Sequence, residues 1–193
     1  MSGSVRGQVR RAGRARLADG ATLLWSVAEG SRGRRWRGVT TVDGHVTHAI
    51  LFEATAGGRP TRLELSTPSG MLTLHPDDDE RSAHGNIVHA GGVRPLALPW
   101  SPEHAFEVVD RPIATAVMLA RMARSVAVGE GETVAVLAVD AGLVVRPGTR
   151  LVRRLAEWRW EVADLGAGRS FELELDADGV PKFASADDWP LDA

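Results

Sequence analysis

The sequence predicts a mainly β fold, built on an antiparallel sheet that has to curl, close on itself or be capped. Turn signals recur about every eight to twelve residues, which is the rhythm of an all-β domain. Between them apolar and polar residues alternate. The cleanest case is RSFELELDADG, where Phe171, Leu173 and Leu175 oppose Glu172, Glu174 and Asp176. Consecutive hairpins with one apolar face leave that face to be buried by curvature or by a covering element.

The elements follow in order. MSGSVRGQVRRAGRARLADG is basic and lacks an apolar stretch, so residues 1–19 read as a flexible arm ahead of a single β domain over 20–193. The same lack of an apolar run argues against a secretory signal, and a cytoplasmic location is the expectation. WRGVTTVDGHVTHAILFEA reads as a hairpin whose Asp43-Gly44 pair suits a left-handed two-residue turn. TRLELST and MLTLHP form the next pair across PSG. The polar loop PDDDERSAHG leads to NIVHA and RPLALPW. SVAVGEGETVAVLAVDAG reads as a further hairpin, and LVVRPG, TRLVRRL, EWRWEV and RSFELELDADG bring the total to about a dozen strands.

RPIATAVMLARM, residues 111–122, departs from this style. Asp110 is placed to cap a helix with Pro112 in its first turn, and ATAVMLARMAR is rich in helix formers. Propensity therefore predicts a short helix able to cover the apolar interior of a curled sheet. A weak alternation of Ile113, Thr115, Val117 and Leu119 keeps an extended reading open.

Composition excludes several chemistries. The chain has no cysteine, so disulfides, thiolate catalysis and cysteine-held metals are absent. Of 23 basic residues all but Lys182 are arginine. Residues 1–37 carry nine arginines against Asp19 and Glu29, a balance of +7, which leaves −9 on the rest of a chain whose net charge is −2. Such a segment invites an anionic partner. It lacks interleaved aromatics before Trp25 and no recognition-fold signature follows, so no specific nucleic-acid partner is expected. No apolar run is long enough for a transmembrane segment.

The six histidines all lie between His45 and His104. HPDDDE reads as a solvated turn rather than a metal site, and no metal or cofactor is expected. Ser82 and His84 are close in sequence, but closeness does not orient a triad. One alternative function is a hydrolase or isomerase using a His–carboxylate pair among His75, His84, Asp77 and Asp78. Another is an interaction module that docks residues 1–37 on an anionic partner. The six tryptophans suggest a third chemistry. An indole face takes an apolar ring or chain and offers one N–H, while a neighbouring guanidinium captures an anionic head.

The segment 111–122 also aligns without a gap with T-P-x-T-N-x-x-P-I-R-R-L, the hallmark of a glycolipid-binding family of bacterial proteins. Pro112, Leu119, Arg121 and Met122 fall on its first proline, isoleucine, second arginine and leucine. Thr115, Met118 and Ala120 depart from it. ETVAVLAVDAGLVVRPGTRLVRRL, EWRWEV and FELELDADGVPKFASADDW are similar to the family's later blocks in order and spacing. The resemblance implies an antiparallel, strongly curved sheet forming an incompletely closed barrel, with at most one or two short helices. It also implies a non-catalytic binding protein for a lipid-like or glycolipid-like amphiphile held on the apolar concave face. Aromatic and guanidinium chemistry, with the family match for Arg121, selects Trp36, Trp100, Arg121, Trp158 and Trp160 as ligand-binding residues, and no catalytic residue is assigned.

Overall fold

The computed structural model describes residues 10–31 and 33–182, and the backbone of 187–189. Alternating sequence becomes a meander of eight strands: β1 (Arg10–Arg16), β2 (Thr22–Gly30), β3 (Gly33–Val42), β4 (His45–Ala54), β5 (Pro60–Thr67), β6 (Gly70–Pro76), β7 (Ser82–His89) and β8 (Gly92–Pro99). Each pairs antiparallel with the next, and β14 (Asp187–Trp189) pairs with the other side of β1. The nine strands curl into a half-barrel that does not close. Asp43 and Gly44 both have positive φ, 49° and 80°, so the β3–β4 turn is the left-handed type their side chains favour.

Five further strands make a second sheet in the order β13-β12-β11-β10-β9. These are β9 (Ala105–Val108), β10 (Gly131–Val139), β11 (Val145–Arg154), β12 (Arg159–Asp164) and β13 (Arg169–Glu174). This sheet is mixed, not antiparallel throughout, because β9 and β10 run parallel. A parallel pair needs a crossover, and α1 (Pro112–Met122) supplies it. The expected SVAV strand does not form. Its residues belong to the turns between α1 and β10, and TVAVLAV pairs instead with β9 and β11.

The helix reading of 111–122 holds, with a different start. Arg111, not Asp110, occupies the cap position and makes no side-chain cap bond. Asp110 is spent in a tight turn at φ 59°, closed by the Arg111 N–H donating to the Val108 carbonyl. Part of the stretch expected as an arm is also structured. Arg10–Arg16 form β1, paired along their length with β2, because Gly13 and Ala15 turn inward under Trp25 and Leu23. Residues 1–9 of that expectation lie outside the described residues.

Leu23, Trp25, Trp36, Phe52, Leu63 and Leu74 project from successive strands onto the concave face of the large sheet. That face, the expected seat of an amphiphile, is occupied. Ile113, Ala114 and Val117 of α1, with Phe106, Val108, Leu137 and Val139 of β9 and β10, pack into the same core. The opposite side of α1, Ala116, Met118, Leu119 and Met122, packs on Val134, Val136, Val152, Trp160 and Val162 of the second sheet. A helix wedged between two sheets is covered along most of its length, which explains its apolar composition up to Arg121 near its end. Gly38 makes the wedge possible: a Cβ there would stand 2.6 Å from Ile113 Cδ1 and 2.9 Å from Ile50 Cγ2.

Candidate functional site

The C-terminal end of α1 emerges at one mouth of the half-barrel, beside the outer ends of β2 and β3. There the chain leaves a cleft of about 320 Å³. Arg34 stands on the β3 wall, Arg121 and Arg124 at the end of the helix, and Arg154 and Trp158 around the β11–β12 turn. Residues 177–179 form the remaining rim.

The guanidinium groups are held in two ways. Arg34 is neutralised by Glu29 and also donates to the Asp178 carbonyl. The other three bond only backbone carbonyls among the described residues. Arg121 donates to Pro102, Glu103 and His104 at 3.1, 2.8 and 3.2 Å. Arg124 donates to Ala56 at 3.0 Å. Arg154 donates to Ala123 and Val126 at 3.1 and 2.8 Å, capping the end of the helix, and also to Glu157. Its guanidinium lies over the Trp160 ring, 5.3 Å from the centroid. Carbonyl dipoles position these cations without cancelling them. Burial, then the nearby Arg59, depresses the Arg121 pKa, yet a guanidinium keeps its charge at any physiological pH. The cleft is therefore lined by four arginines beside the half-buried Trp158, with Glu29 and Asp178 as its acidic members, of which Glu29 pairs with Arg34 and Asp178 with Arg11.

Of the residues expected to bind a ligand, Arg121 and Trp158 meet at this cleft. Trp36 (1% exposed), Trp100 (7%) and Trp160 (0%) are packing residues. Trp36 lies 6.0 Å from Trp25 between ring centroids, and Trp100 lies 4.7 Å from Phe106. The indole N–H groups of Trp25, Trp36 and Trp160 are buried without an acceptor among the described residues. Each such group costs about 1–3 kcal/mol, so apolar packing, not hydrogen bonding, placed these rings. Arg34, Arg124 and Arg154 were not singled out by sequence reasoning. The signal available was RRW and the arginines near Trp158, which do not stand out in a chain where every basic residue but Lys182 is arginine.

A His–carboxylate pair forms, away from the cleft. His84 Nε2 lies 3.0 Å from Asp77 Oδ2, and the Ser82 hydroxyl donates to the same oxygen at 2.7 Å. The carboxylate thus sits between hydroxyl and imidazole, so the imidazole is bonded to Asp77 and not to the serine oxygen. All three stand on the exposed wall of β7 and the preceding loop, and none lines the cleft.

A curled, unclosed β sheet wedged by one helix, with a basic and aromatic cleft at its mouth, defines the class. The chain is similar in structure to a DUF1089 family protein from Pseudomonas aeruginosa, with TM-score 0.55 and 16% sequence identity over 94% of this chain and 92% of that one. At that identity the likeness is one of fold. No family model and no curated protein matches the sequence. Among the described residues no helix is long and apolar enough to cross a membrane.

Proposed function

We propose that this chain is a non-catalytic binding protein for an anionic amphiphile, held at the mouth of the half-barrel rather than along its concave face. The observation that carries the reading is the trio Arg121, Arg124 and Arg154, whose described hydrogen-bond partners are all carbonyls, lining one cleft with Trp158. An anionic head, a phosphate or a carboxylated sugar, supplies the missing counter-charge through charge-assisted bonds. The Trp158 face takes the first part of the apolar tail. A cleft of about 320 Å³ lies at the low end for small-molecule sites, so it suits a headgroup and a short apolar segment, not a whole acyl chain. The reading keeps the glycolipid-like ligand class and the cytoplasmic location expected above.

Native mass spectrometry of protein purified without detergent tests it. The expected spectrum shows a bound anionic lipid that dissociates when Arg124→Ala is introduced. Protein found empty, and showing no thermal shift with dodecyl phosphate, overturns the reading.

A further inference from the structure

We infer that the convex wall of β1–β4 is a docking surface for an anionic lipid bilayer. Register alone assembles it. Arg14, Leu24, Val39 and Ala49 stand opposite one another across four strands, and Arg16, Thr22, Thr41 and Val46 form the next row. Arg37 follows Val39 two residues back on the same face of β3. Leu24 is 40% exposed and Val46 57%, uncovered by any described element. Arg14, Arg16 and Arg37 are exposed and have no ion-pair partner among the described residues, whereas Arg35 on the same wall is paired with Glu53. Acidic positions bordering the patch include Asp187, opposite Arg14 on β14, Asp43 at the hairpin tip, Asp19 in the β1–β2 turn, paired with Arg111, and Glu64 on β5, paired with Arg62.

Shape and chemistry select the occupant. A convex wall meets a plane along a few strands only, and these strands interleave aliphatic side chains with arginines. An interfacial lipid layer suits that mixture: leucine and valine enter the acyl boundary while arginine stems lie along it and their heads meet phosphates. Trp25 and Trp36 face inward, so the wall lacks the aromatic platforms on which single-stranded nucleic acid stacks. The core of a protein interface is enriched in aromatic side chains, and this patch carries none. The site is separate from the cleft, which opens at the opposite end of β2 and β3.

Co-sedimentation of the full chain tests the inference, with vesicles of phosphatidylglycerol mixed with phosphatidylcholine and vesicles of phosphatidylcholine alone. The expected result is sedimentation with the mixed vesicles only, weakened by salt. Partitioning falls about fivefold for each of Arg14→Ala, Arg16→Ala and Arg37→Ala, the fold-change equivalent to one basic residue at an anionic surface. Leu24→Asp with Val46→Asp abolishes it. Arg94→Ala, on the exposed wall of β8, leaves it unchanged. Circular dichroism confirms that each variant is folded. Failure to sediment, equal binding to neutral vesicles, equal loss with Arg94→Ala, or binding of RNA in place of vesicles through the same arginines overturns the proposal.

Discussion

Arg150 is 4% exposed and donates to Glu107 at 2.7 Å, while Asp164 lies 3.1 Å away on its other side. Set on β11, it ties β9 to β12 across the second sheet. Removing one partner of a buried pair leaves the other charge uncompensated, at a cost of about 3–5 kcal/mol. Arg150→Ala is therefore expected to lose stability of that order in urea denaturation, and a loss under 1 kcal/mol, roughly the worth of a surface pair, contradicts the network. Asp164 has a second role. The Ala167 N–H, and after it Arg150, hold its carboxyl below the ordinary aspartate pKa in spite of desolvation. A group with a folded pKa below its unfolded one stabilises fully above the unfolded value, and loses that contribution as pH falls through the folded value. Asp164→Asn is thus expected to have a shallower acid branch in its stability–pH curve. An unchanged slope contradicts the assignment.

The element that organises the molecule is α1. Leu119 is fully buried between helix and second sheet, so Leu119→Ala is expected to cost about 2–5 kcal/mol in urea melts. The edge strand β8 shows a different design. The Trp100 N–H, just past its end, donates to the Arg81 carbonyl, so even-numbered residues of β8 turn their backbone toward β7 and odd-numbered ones toward the open edge. Pro95 and Pro99 are odd-numbered, and they remove two donors from that edge. Replacing both with threonine is expected to give concentration-dependent self-association in light scattering, and an unchanged size contradicts this account. The meander strands β2 to β7 were legible in the sequence because one face of each is buried and period-two alternation survives. The β9–α1–β10 unit was half legible. Helix formers marked α1, but β10 is buried on both faces and paired in parallel, a relation that depends on a distant crossover and leaves no local period.

At the scale of the whole molecule, function was less legible than fold. In a chain without tyrosine and with four phenylalanines, tryptophan is the main large core residue, and Trp36, Trp100 and Trp160 were drawn inside for that reason. Arg121 and Trp158 stood out by residue type, whereas Arg34, Arg124 and Arg154 acquire their place only when the end of α1 meets the β11–β12 turn. The first part of α1, with β9 and β10, fills the trough, so the proposed binding position lies at its mouth. Arg124 isolates that claim, since it is exposed and holds a single carbonyl, so its loss leaves the packing intact. The direct measurement is a calorimetric titration of wild type and Arg124→Ala with dodecyl phosphate, using dodecyl maltoside as the uncharged reference. Saturable binding of dodecyl phosphate alone, weakened about tenfold or more in the variant, is the predicted result. Equal binding of the two amphiphiles, or of the two proteins, contradicts a charged site at the mouth of the half-barrel.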